Sequence, residues 1–136
     1  MVFAIKAEVS DPCAATFVFA AQKTMYGGKR ISVGDIAFIF ASENEGGQGL
    51  CARGVVTAAQ AVAPLREVAR HTPRVSVTVR RDAWVKRRLG RGQLKPFTDW
   101  TDGRPETELN FKFYRQATNK IVGLSESAAT FLGEFF

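Results

Sequence analysis

The stretch from Arg74 to Arg80, RVSVTVR, is the clearest alternating segment in the chain. Side chains two apart on an extended backbone share a face, so Val75, Val77 and Val79 line one side of a strand while Arg74, Ser76, Thr78 and Arg80 line the other. One face belongs to a core; the other meets solvent or phosphate. A strand wet on one side needs partners, and the rest of the sequence supplies candidates.

Val2–Val9 (VFAIKAEV) reads as an opening strand, and Ile36–Phe40 (IAFIF) is a short unbroken apolar run of the kind found in buried strands. Between IAFIF and the strand-like Leu50–Val56 lies SENEGGQG, whose polar start and glycines fit a tight hairpin loop. Gly27 with Gly28, and Gly34 with Asp35, mark two further turns. Asp11 as a cap and Pro12 at the first helical position predict a helix over Ala14–Lys23. A second, basic helix is expected over Arg81–Leu89, and the alternation of Leu109, Phe111 and Phe113 predicts a late strand. Ser125 caps a final helix whose stripe of Ala128, Phe131, Leu132, Phe135 and Phe136 faces the core. Gly-rich hairpins outnumber crossover helices. The expected fold is therefore a small mixed α+β barrel with flanking short helices, a single domain over residues 1–136.

Charge is unevenly spread. The chain carries a net charge of +6, whereas Arg66–Lys95 holds ten basic residues against Glu67 and Asp82, so everything outside that segment is slightly acidic. Such a concentration suits a polyanion, because Lys and Arg displace the counterions of a phosphate backbone. Arg74, Arg80, Lys86, Arg87 and Arg88 are the expected backbone contacts. Trp84, Phe97, Trp100 and Tyr114 interrupt or follow the segment and offer rings on which an exposed base can stack.

Other chemistry is thinly represented. His71 is the only histidine, and Cys13 and Cys51 lie too far apart for a zinc-site pattern; neither metal nor cofactor is expected. GGQG at Gly46–Gly49 and YGGKR at Tyr26–Arg30 lack the spacing of dinucleotide or Walker phosphate loops. The opening residues show no charged leader followed by a long apolar run, and no apolar run approaches the roughly 18 residues of a membrane span. A cytoplasmic protein without a membrane association is expected.

Three blocks in order, GDIAFIFASENEGGQGLCARGVV (Gly34–Val56), RVSVTVR (Arg74–Arg80) and YRQATNKIVGLSESAATFL (Tyr114–Leu132), resemble the EVE branch of the PUA-like superfamily. The resemblance implies a pseudobarrel with surrounding helices, a cleft between loops, and binding of RNA or DNA, with EVE-like domains associated with modified bases. It places Ser42 and Asn44 beside the pocket and Arg115 and Gln116 on the approach to the closing strand. The combined expectation is noncatalytic binding of an extruded or modified base, with Ser42, Asn44, Trp84, Trp100, Tyr114, Arg115 and Gln116 around the base. Two alternatives stand beside it: an RNA- or nucleotide-processing enzyme of ASCH type using Asp35, and a peptide-binding module. Oligomeric state is left open.

Overall fold

In a computed structural model, which describes residues 1–63 and 73–136, six strands close into a barrel. They are β1 (Val2–Ala7), β2 (Thr16–Met25), β3 (Ile36–Ala41), β4 (Gly49–Ala61), β5 (Arg74–Trp84) and β6 (Lys120–Gly123), with α1 (Arg91–Leu94), α2 (Pro105–Phe113) and α3 (Glu126–Gly133). The strands follow one another around the barrel as β1-β3-β4-β5-β2-β6, and β6 returns to β1. Two pairs are parallel, β1 with β3 and β2 with β6; the other four are antiparallel. The small α+β pseudobarrel expected from the sequence is thus the fold of the chain.

Two apolar clusters hold it together. Phe3, Ile5, Phe17, Phe19, Ile39, Val56, Val77, Val79 and Ile121 point into the barrel. Ala4, Phe38, Phe40 and Val122 point outward from the same strands and meet Leu94, Leu109, Phe113, Leu132 and Phe135 of the helical layer. A strand buried on both faces needs no polar alternation, which is why IAFIF is continuous and RVSVTVR is not.

Three expected elements are different in the structure. Residues 14–23 form most of β2 rather than a helix: Phe17 and Phe19 are buried while Thr16 and Val18 are exposed, the period of a strand. Asp11 does not cap a helix; its carboxylate accepts from the Cys13 backbone N–H in a local turn. A bulge between Phe19 and Gln22, with Ala21 at φ 48°, interrupts the alternation that would have revealed the strand. Residues 81–84 continue β5, and the helix that follows begins only at Arg91. Leu109–Phe113 lies in α2, not in a strand. Pro105 starts that helix, Glu106 and Glu108 occupy its favourable first turn, and Thr107, Leu109, Asn110 and Phe113 are its buried face.

The closing helix starts as expected, with Ser125 Oγ accepting from the Ala128 N–H, but it ends at Gly133, so Phe135 and Phe136 lie in the turn beyond it. Among the described residues, no helix is long and apolar enough to cross a membrane. Arg66, Arg70 and His71 lie outside the described residues.

Candidate nucleic-acid interface

The loop between β3 and β4 folds tightly from its first residue. Ser42 leads into a 3-10 turn over Glu43–Glu45, Gly46 reverses the chain at φ 84°, and the Gly47 N–H donates to the Ser42 carbonyl at 2.8 Å. Gly49 then crosses the segment after β5 so closely that a side chain at position 49 would strike the Leu89 and Gly90 backbone. That crossing is fixed by a 2.8 Å hydrogen bond from the Leu50 N–H to the Leu89 carbonyl. Residues 85–88 consequently run beside the glycine loop.

Between them opens a cleft of about 590 Å³. Its apolar lining comes from Val9, Ala41, Leu50, Cys51 and Val85, its polar side chains are Ser10 and Gln48, and Lys86, Arg87 and Arg88 stand on one side. No carboxylate lines it among the described residues. The three cations are exposed, and Arg87 is positioned by α3: its guanidinium lies 4.2 Å from the Phe135 ring centroid and donates to the Glu134 carbonyl. Lys86 is tethered through its backbone N–H to the Phe135 carbonyl at 2.7 Å. Burial pushes the Cys51 thiol up to about 11, so it stays protonated and serves the cleft as an apolar group.

The other expected site residues are distributed differently. Ser42 is buried, with its hydroxyl unpaired, and Asn44 accepts from Arg91 and donates to the Ala117 carbonyl. Both shape the loop rather than line the cleft. The Tyr114 hydroxyl donates to Glu43, and burial together with the Glu43 charge holds its pKa well above the ordinary phenol value. Gln116 lends its carbonyl to Lys120. Trp84 is 51% exposed at the end of β5 with the Arg81 guanidinium 4.5 Å from its ring centroid, next in sequence to the cleft but outside its lining. Trp100 and Arg115 belong to another surface, beside Phe111. Arg80 is exposed on β5, whereas Arg74 begins that strand and donates to the Ala21 carbonyl. Ten residues separate Arg74 from Trp84, roughly 30 Å of strand, so Arg74 lies at the far end from the cleft. Asp35 accepts from the Ser32 N–H and hydroxyl in its own turn and is not in the cleft lining.

Ser10 and Gln48 went unnoticed in the sequence. Ser10 stands directly before the Asp11-Pro12 pair that mimics a helix start, and Gln48 is a lone polar side chain among glycines. Gln48 lies inside the glycine loop, and nothing local points to Ser10, which reaches the cleft from the segment between β1 and β2.

The geometry defines a closed α+β pseudobarrel with a basic, carboxylate-free cleft at the β3–β4 loop. Solved structures share that fold. The DUF55 domain of human thymocyte nuclear protein 1 superposes with a TM-score of 0.64 at 14% identity, covering 97% of this chain and 96% of that one. Human THYN1 in complex with 5-methylcytosine-containing DNA gives 0.62 at 15% identity, covering 96% and 94%. A Pseudomonas putida protein gives 0.61 at 15% identity, with 99% of each chain covered. No family model and no curated protein matches the chain.

Proposed function

We propose that this chain is a nucleic-acid binding module that takes one base into the cleft and holds the adjoining phosphates on Lys86, Arg87 and Arg88. One observation carries the reading: three exposed cations border a cavity of about 590 Å³ that contains no carboxylate among its lining residues. That volume falls within the range of small-ligand pockets, roughly 300–1,000 Å³. Ser10 and Gln48 supply donors and acceptors for a base edge, while Val9, Ala41, Leu50, Cys51 and Val85 accommodate an added methyl group. The THYN1 complex with 5-methylcytosine DNA supports a modified base as the target, as does the EVE-like pattern in the sequence. Burying one methyl is worth about 0.8 kcal/mol, so shape alone gives a roughly fourfold preference for methylated over plain cytosine.

The test is titration of the purified protein with labelled oligonucleotides, with and without 5-methylcytosine, at two salt concentrations. Binding is expected to weaken steeply with salt. Replacing Lys86 and Arg88 together with Ala should weaken all sequences alike and flatten the salt slope by roughly 1 to 2. Gln48→Ala should instead change the preference between bases. Absence of association at low salt overturns the proposal.

A further inference from the structure

Away from the cleft, the loop after α1 and the outer face of α2 build a second surface of aromatic rings and free cations. Trp100 and Tyr26 are 44% and 42% exposed, and both rings rest on Phe111, at centroid separations of 5.4 Å and 5.9 Å. The Arg115 guanidinium lies 4.7 Å from the Phe111 centroid and 6.0 Å from that of Trp100. Trp100, Arg104, Thr107, Glu108, Phe111 and Lys112 line a depression of about 250 Å³. Trp100 and Tyr26 are therefore packed on one side and wet on another, while Phe111 between them is partly buried.

Carboxylates and cations share this surface. Asp99 accepts from the Thr101 N–H and hydroxyl, and Asp102 from the Arg104 N–H and the Thr107 hydroxyl. Glu108 pairs with Lys112 at 3.0 Å and accepts from Ser125. Each of these carboxylates stays charged and is hydrogen-bonded to a neighbouring protein group. Arg104 and Arg115 form no ion pair among the described residues. Tyr26, at φ 52°, is fixed by the Gly123 N–H, which donates to its carbonyl at 3.1 Å, and holds its ring against Phe111 at the edge of this patch.

Taken together, these features lead us to infer that the Trp100 surface is a second nucleic-acid contact, binding an unpaired base on Trp100 with neighbouring phosphates on Arg104 and Arg115. The ring supplies a stacking face that any base satisfies, and the two guanidiniums complement phosphate charge. This deepens the base-binding reading of the cleft and rests on it: the substrate class becomes strands that expose more than one unpaired base.

Two measurements test it. In Trp84→Phe, Trp100 is the only tryptophan left, and its fluorescence should be quenched when a single-stranded oligonucleotide is added. Trp100→Ala should weaken single-strand binding by roughly 5- to 150-fold, the range for loss of one base–aromatic stack, while duplex binding changes less than twofold. Trp100→Phe, which keeps a ring, should recover most of the loss, with unchanged melting temperatures showing that the variants fold. Unquenched fluorescence, or equal single-strand affinity in Trp100→Ala, overturns the inference and leaves the surface to a protein partner. The 5-methylcytosine preference should survive in Trp100→Ala; if binding occurs but Lys86 and Arg88 prove irrelevant to it, the cleft reading fails instead.

Discussion

The two halves of the barrel wall face different surroundings. β1, β3 and β6 are buried on both sides, between the interior and the helical layer, whereas the first half of β2 and most of β5 keep one face toward solvent. On the covered half an outward side chain is a core residue, as Ala4, Phe38 and Val122 show. Across the barrel an outward side chain is Val18, 72% exposed. The covered half also contains Lys6 and Lys120, which sit opposite each other on β1 and β6 and are both buried. Lys6 donates to the Phe113 carbonyl at 3.1 Å and Lys120 to the Gln116 carbonyl at 2.9 Å. Phe113 at the end of α2 and Gln116 in the loop after it thus accept from buried ammonium groups, and the difference between the halves is one of solvation rather than of strand geometry.

The sharpest way to break the comparison is to place a charge outward on each half. Ala4→Glu puts a carboxylate into the covered seam, where an unpaired buried charge costs about 3–5 kcal/mol; denaturant unfolding should show a loss of that order or no folded protein. The contrasting change, Val18→Lys, gives the smallest expected effect, within about 0.5 kcal/mol. Equal losses in the two variants would contradict the comparison.

Between those extremes lies the titration of the buried lysines. Burial, then the charges of Lys6 and Lys23, lower Lys120 to about 8 from its ordinary 10.5. Burial first, then the Arg91 charge, also lowers Lys6, with Glu43 and Glu45 pulling the other way. Between pH 8 and 10.5 the unfolded chain binds more protons at Lys120 than the folded one, so this group's contribution to stability rises with pH across that window. Lys120→Met should remove that rise and stabilise the protein at pH 7 by about 1–3 kcal/mol. The gain should shrink toward pH 10.5, and melting curves at pH 7, 9 and 10.5 check it. A gain that does not vary with pH would assign the effect to packing instead.

What the sequence reveals follows the same division. Alternation identifies β5 because its outer face is wet, and an unbroken apolar run identifies β3 because neither face is. β2 escaped because only Thr16–Phe19 alternate before the bulge, in the wake of an Asp-Pro pair that imitates a helix start. Leu109, Phe111 and Phe113 imitate a strand because a helix can place apolar residues two apart when one of them, Phe111, faces the side rather than the core. The helix ends beside two other groups: it carries Arg115 to Trp100 and turns the Tyr114 hydroxyl onto Glu43, whereas the resemblance places Arg115 on the approach to the closing strand. The basic segment and the glycine loop were legible because both are local features. Their meeting depends on the long-range hydrogen bond between Leu50 and Leu89, which no local pattern encodes.

β6 returns to β1, yet its pairing with β2 covers only Thr24 and Met25, so Thr16–Lys23 are laddered to β5 alone among the described residues. The cylinder is therefore seamed rather than sealed, and the first part of β2 keeps backbone donors and acceptors on its second edge, where a further strand would add to the sheet. Elsewhere on the wall both edges are taken over most of the strand length, and recognition falls to side chains and loops at the ends and flanks of the cylinder.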